Sequence, residues 1–271
     1  MASITGFDIL IQMFAQIDVL MLIFVRVLAF FLVLPVISSQ NIWMIGRLFF
    51  ALCTTIVIFL SGSVEVVYYM DTTLGFVYVM LLEFLVGLAM GYVLFLVFNL
   101  IFFSGQLIDF QIGLMMVNVM DPMTQVQVPV TGNLFYFSMI ALLVVTGGLN
   151  GFLLTFFYSY TILPIGTAFV VGNAPLAWYL IILITESTFL AIRIALPVVG
   201  TMLIVDASLG IMVKTVPQMN IFVVGLPLKL FLGLIIIFTV MVPNLGVMHE
   251  HIFDMALMAI RETMMGMVPT Q

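Results

Sequence analysis

An all-α integral membrane protein is the fold class this chain predicts, and three observations predict it. Hydrophobic residues fill 65% of 271 positions, charged residues only 7%, and the mean hydropathy is +1.39, far from the average of water-soluble domains. Apolar runs of roughly 20 residues recur, the length a helix needs to cross the bilayer core. Alternating segments of about ten residues, the mark of an outer-membrane barrel, do not occur.

The apolar runs place helical spans near 9–34, 42–61, 73–103, 134–147, 151–171, 176–204 and 221–242. The first follows Asp8, with no Lys or Arg ahead of it and no small-residue cleavage site after it, so it reads as a retained helix. Asp18 and Arg26 share that span, about 12 Å apart along a helix. Direct pairing is out of reach, and each needs a partner on another helix or chain. In the second span, Cys53 stands among Leu52, Thr54 and Ile56 and reads as a buried small hydrophobe; a lone cysteine excludes an internal disulfide and cysteine-based metal chemistry.

Glu83 lies ten residues into the third span, ahead of a Gly87–Gly91 spacing that lets another helix approach closely. The fourth run is too short to cross alone, and Gly147-Gly148-Leu149-Asn150-Gly151 separates it from the fifth, so the two form a broken helix or a tight hairpin. Glu186 and Arg193, seven apart, share one face of the sixth span. Two readings of these embedded charges stand: pairing inside protein or at interface depth, and a proton relay of the kind transporters use. Beyond the last span, the tail 244–271 places Asp254, Met258 and Arg261 on a different face from Phe253, Leu257, Ile260 and Met264. It is expected to form an amphipathic helix on the membrane surface or on a partner.

Orientation rests on few charges. Glu65 and Asp71 put the link 62–72 outside, Lys214 puts the link 205–220 in the cytoplasm, and an outside N-terminus follows. A net charge of −6, a pI near 4.5 and six basic residues exclude nucleic acid as a partner. His249 and His251 diverge on a helix with no third ligand in register, so no metal site is expected. There is no Ser-His-Asp order, phosphate-cradling glycine loop or HExxH, hence no catalytic residues, no cofactor and no support for an enzyme.

The distinctive segment is Gly105-Gln106-Leu107-Ile108-Asp109-Phe110-Gln111-Ile112-Gly113, continuing through Asn118 to Asp121-Pro122. Residues 105, 109 and 113 recur at successive helical turns, a stripe of glycine, carboxylate and glycine that Gln106 and Gln111 widen. Such side chains at membrane depth must face protein, water or a passing substrate. Met115, Met116, Met120 and Met123 follow closely. Methionine re-packs as a surface changes shape, which suits a gasket across a channel; plain core packing is the other reading, since the chain holds 22 methionines.

This segment, together with Val216-Pro217-Gln218-Met219-Asn220-Ile221-Phe222 and Gly225-Leu226-Pro227-Leu228-Lys229, resembles the flagellar biosynthetic FliR family, equivalent to the SctT component of type III secretion export gates. The likeness covers essentially the whole chain; Asp109 departs from a glycine common in the family. The resemblance implies a non-enzymatic subunit of the export gate in the bacterial inner membrane, within the flagellar basal body. Its implied partners are FliP, FliQ, FlhB, unfolded flagellar substrates and membrane lipid. It implies a FliP-like portion over 1–172, a FliQ-like hairpin over 173–243 with its turn at 205–220, and a C-terminal tail, packed in a hetero-oligomeric helical assembly partly lifted out of the bilayer. On this reading Gly105, Gln106, Asp109, Gln111, Gly113, Met115, Met116, Asn118, Met120, Asp121 and Pro122 belong to a pore plug within 105–127. Asp18, Arg26, Glu83, Glu186 and Arg193 make polar contacts between subunits, and Asp206, Lys214, Pro217, Gln218 and Asn220 form a docking turn for FlhB. The competing expectations are a stand-alone proton-coupled transporter using Glu83 or Asp109, the equivalent subunit of a virulence-type system, and a membrane anchor without a pore.

Overall fold

The computed structural model describes residues 16–35, 43–62, 64, 72–115, 129–166, 174–216 and 221–268. Its elements are α1 (Ile17–Val33), α2 (Met44–Ser61), α3 (Thr73–Ile112), α4 (Val130–Val145), α5 (Gly148–Ile162), α6 (Ala174–Thr215), α7 (Ile221–Ile236), a π-helical turn (Ile237–Met241) and α8 (Val242–Met267). Four described helices are long and apolar enough to cross a membrane, or five if the bent pair α4 and α5 counts as one span. The chain is an all-α integral membrane protein.

Glycine sets two of the breaks. Gly62 follows α2 at φ +64° and Gly147 follows α4 at φ +73°, left-handed positions that end a helix without a Cβ penalty. The fourth and fifth runs form two helices separated by Thr146 and Gly147, where the glycine cluster predicts an interruption.

Three elements run further than their hydropathy implies. The third span continues without interruption through 105–112, giving a helix of 40 residues and about 60 Å, twice the hydrocarbon thickness. The sixth continues through the expected turn to Thr215, so the connection between α6 and α7 shrinks to 216–220. The C-terminal stretch follows without a break, because the π-helical turn at Ile237–Met241 carries α7 directly into α8. A π turn absorbs one extra residue without a break. The expected faces of that stretch do appear: Ile260 and Met264 are buried, while Asp254, Met258 and Arg261 are exposed.

The chain divides into two compact units: 1–95 with 149–181 and 256–271, and 96–148 with 182–255. In the first, Leu22, Ile23, Val27 and Phe30 of α1, Met90 of α3 and Phe156 of α5 are fully buried. The Phe30 and Phe156 rings stack at 4.5 Å. Gly87 and Gly91 of α3 sit against the backbone of α1: a Cβ on Gly87 would overlap the Arg26 carbonyl oxygen, and one on Gly91 would lie 2.9 Å from that of Phe30. This is the close approach their spacing predicts. Cys53, expected to be buried, is exposed. On α2 the buried stripe is Ala51, Thr54, Thr55 and Ile58, while Trp43, Met44, Ile45, Phe49, Leu52 and Val57 are exposed.

In the second unit, α3 enters with Leu100, Ile101 and Ile108 buried, α4 with Phe135, Met139 and Leu143, and α6 with Ala195, Val198 and Met202. Pro197 lies inside α6 and Pro227 inside α7. Thr201 donates its hydroxyl to the Pro197 carbonyl at 2.9 Å, the bond to the preceding turn that threonine makes in helices.

Candidate functional site

The last two turns of α3 carry the distinctive segment, and within the second unit they are fastened at three points. Gly105 meets Gly132 of α4 backbone to backbone, so closely that a Cβ on Gly105 would overlap the Gly132 Cα. One turn on, Asp109 is 1% exposed. Both its carboxylate oxygens accept the Thr131 backbone N–H, at 3.0 and 3.2 Å. Thr131 is the second residue of α4, whose N-cap, Pro129, has no side-chain acceptor. Asp109 thus supplies from α3 the cap that α4 lacks, satisfying an otherwise orphaned donor at the positive end of the helix dipole.

At the third point, the Gln111 amide nitrogen donates to Asp206 of α6 at 3.0 Å, and the other Asp206 oxygen is 2.7 Å from the Lys229 ammonium of α7. Ile112 lies against Gly233 of α7, where an added Cβ would come within 2.6 Å of its side chain. Gly113 then ends the helix at φ +91°, its N–H bonded to the Asp109 carbonyl at 3.1 Å. Gln106 and Met115 are half-buried. Met116, Asn118, Met120, Asp121 and Pro122 lie outside the described residues, as do Met123, Glu65, Asp71, Pro217, Gln218 and Asn220. Asp206, expected on an exposed docking turn, is helical and bonded within the chain, because α6 extends past it. Lys214 is exposed in the last turn of α6.

A second polar cluster lies in the first unit. Arg26 is fully buried, and its Nε pairs with Glu83 Oε2 at 2.5 Å. Both terminal nitrogens donate to the Leu163 carbonyl at 3.0 Å, just past the end of α5, where carbonyls lack intrahelical partners. The Tyr160 ring lies 4.4 Å from the guanidinium carbon. Glu83 Oε1 accepts the Gly166 N–H at 3.3 Å, and the Tyr160 hydroxyl donates to the Ile23 carbonyl at 3.3 Å. The expectation that Arg26 and Glu83 bond to other subunits is therefore corrected. A buried guanidinium needs a counter-charge and acceptors for its donors, and α1, α3 and α5 provide them within one chain.

The remaining embedded charges behave differently. Asp18, Glu186 and Arg193 are all exposed and have no ionic partner among the described residues. Glu186 and Arg193 lie well inside the 42 residues of α6. His249 is buried and stacks on Phe253, whereas His251 is exposed, and no group of metal-binding side chains occurs among the described residues. Sequence reasoning gave no role to Thr131, Lys229, Tyr160 or Leu163. Only Lys229, a lone cation near a span end, carried a signal that could have marked it.

Comparison with known proteins agrees with this architecture. The family described as bacterial export proteins, family 1, matches residues 17–256. The chain is 30% identical over 223 residues to the flagellar biosynthetic protein FliR of Bacillus subtilis, covering 82% of this chain and 85% of that protein. It is 30% identical to FliR of Aquifex aeolicus, covering 80% and 83%. The surface presentation of antigens protein SpaR of Shigella flexneri is 28% identical over 59% of this chain and 61% of its own length. With nearly its whole length matched, including both polar clusters, the chain belongs to the bacterial export proteins of family 1.

Proposed function

We propose that this chain is a channel subunit of the flagellar type III protein export gate in the bacterial inner membrane. With FliP and FliQ it forms the conduit through which unfolded flagellar substrates pass, and FlhB contacts it. No bond is made or broken, and energy for transport comes from elsewhere in the machine. Membership of the export family supports this reading, as do the FliR relatives. The observation that carries it furthest is the exposed pair Glu186 and Arg193 on α6. A charge facing lipid at mid-helix costs about 2.5–3.5 kcal/mol, so these groups call for neighbouring subunits. The short connection between α6 and α7 and the bond from Asp206 to Lys229 support the hairpin over 173–243, to which the FliP-like portion over 1–172 is the companion.

In this reading residues 105–127 seal the closed conduit. The fastening of Gly105, Asp109 and Gln111 to α4 and α6 supports a rigid frame from which the methionine-rich stretch extends. A stand-alone proton carrier at Glu83 or Asp109 has less support, because both carboxylates are engaged in buried structural bonds.

Native mass measurement of the detergent-extracted chain, co-expressed with its neighbours, tests the assembly. Co-purification with different small membrane proteins is expected, and a monomer or homo-oligomer would reject the proposal. Replacing Met115, Met116 and Met120 together by alanine is expected to make assembled complexes leak ions. An ion-tight triple variant would remove the gasket role.

A further inference from the structure

Basic side chains are scarce, six in the whole chain, and two of them, Arg26 and Lys229, are held in ion pairs. Arg261 is exposed on α8 without an ionic partner among the described residues. It lines a recess of about 350 Å³ in the first unit, together with Thr155, Tyr158 and Ile162 of α5 and Met264 of α8. The Thr155 hydroxyl is occupied by the Gly151 carbonyl at 2.9 Å. The groups left to meet an occupant are therefore the Arg261 guanidinium and the Tyr158 phenol, which is 64% exposed, above walls formed by Ile162 and Met264.

The recess lies beside the C-terminal end of α5 and within the polar stretch of α8. α5 ends at Ile162, four residues past Tyr158. α8 has by then passed from the apolar run of α7 into a stretch bearing His249, Glu250, His251, Asp254 and Glu262. Tyrosine and arginine at such a place are the side chains that meet lipid headgroups. Asp254 and Glu262 are exposed on the same helix and make its surroundings acidic. General attraction to an anionic membrane surface is therefore weak, and binding depends on oxygens reaching Arg261 itself. The competing occupant is a carboxylate of a neighbouring subunit, which would meet the same guanidinium.

We propose that the recess holds one membrane glycerophospholipid. Its phosphodiester oxygens accept from Arg261 and Tyr158, and an acyl chain lies along Ile162 and Met264. The site is independent of the export role.

The test reconstitutes the complex containing the full chain into vesicles of phosphatidylethanolamine and phosphatidylglycerol with a small share of diazirine-acyl phosphatidylglycerol. Adducts are mapped by peptide mass spectrometry after irradiation. Label is expected on the peptides holding Ile162 and Met264, reduced about tenfold in Arg261→Gln and about threefold in Tyr158→Phe, with part of the signal kept in Arg261→Lys. Excess inorganic phosphate should leave the label unchanged; if phosphate abolishes it, the site takes a free anion and the lipid assignment fails. Equal labelling in wild type and Arg261→Gln, or no lipid label on these peptides in the wild type, as expected if a neighbouring subunit covers the recess, would overturn the proposal.

Discussion

Replacing Glu83 by glutamine removes the only counter-charge that the described residues offer a guanidinium with a side chain 1% exposed. Arg26 keeps its hydrogen bonds to the Leu163 carbonyl and its contact with the Tyr160 ring, but neither neutralises the charge. Breaking one side of a buried pair costs about 3–5 kcal/mol, a shift of roughly 10²–10⁴-fold in the folding equilibrium. The double variant Arg26→Met with Glu83→Leu removes both charges and fills the space with apolar atoms, and exchanges of this kind are often neutral or better. It should be more stable than either single variant, despite the lost bond to Leu163. The assay is thermal unfolding of the detergent-extracted full chain, followed by far-ultraviolet circular dichroism, as a double-mutant cycle. Losses that merely add would refute the pairing argument. Export measured with the double variant adds a second discrimination: retained export is expected of a structural pair, whereas a proton carrier at Glu83 would lose all function.

Two further outcomes follow from the glycine contacts and the cap. Gly87→Ala should lower thermal stability by about 1–3 kcal/mol, because its Cβ overlaps the Arg26 carbonyl; Gly200→Ala, with nothing within 4 Å of its Cβ, should be neutral or slightly stabilising in the same assay. Asp109→Ala should destabilise by about 1–3 kcal/mol by orphaning the Thr131 N–H, with Asp109→Asn recovering part of the loss. Protection of that amide in hydrogen exchange is the direct measure, and unchanged protection in Asp109→Ala would count against the cap.

Much of this architecture is legible in the amino-acid order alone. The all-helical class, the break at Gly147, the close approach at Gly87 and Gly91 and the two faces of the C-terminal stretch follow from local spacing. Pairing is not legible, because Arg26 and Glu83 are 57 residues apart and nothing in helical periodicity selects one distant carboxylate over another chain. The expected burial of Cys53 failed for a different reason. A helix bordered by lipid has no polar face, so apolar neighbours cannot tell inside from outside, and the amphipathic contrast that works in water is lost. The continuation of α6 past Asp206 is hidden in the same way: polar residues resemble a loop until a partner such as Lys229 is seen. At Asp109 the residue is conspicuous, but its role depends on Pro129 being unable to cap α4, a fact that only the crossing of the two helices exposes.

The ionic core of the first unit also sets a timetable for biogenesis. Arg26 is made first, Glu83 follows 57 residues later and the Leu163 carbonyl 137 residues later. At ribosomal rates of about 5–20 residues per second, the guanidinium waits roughly 7–27 s for its full complement. During that interval the nascent hydrophobic segment carries a cation whose counter-charge has not yet been made, and a slowed ribosome lengthens the wait.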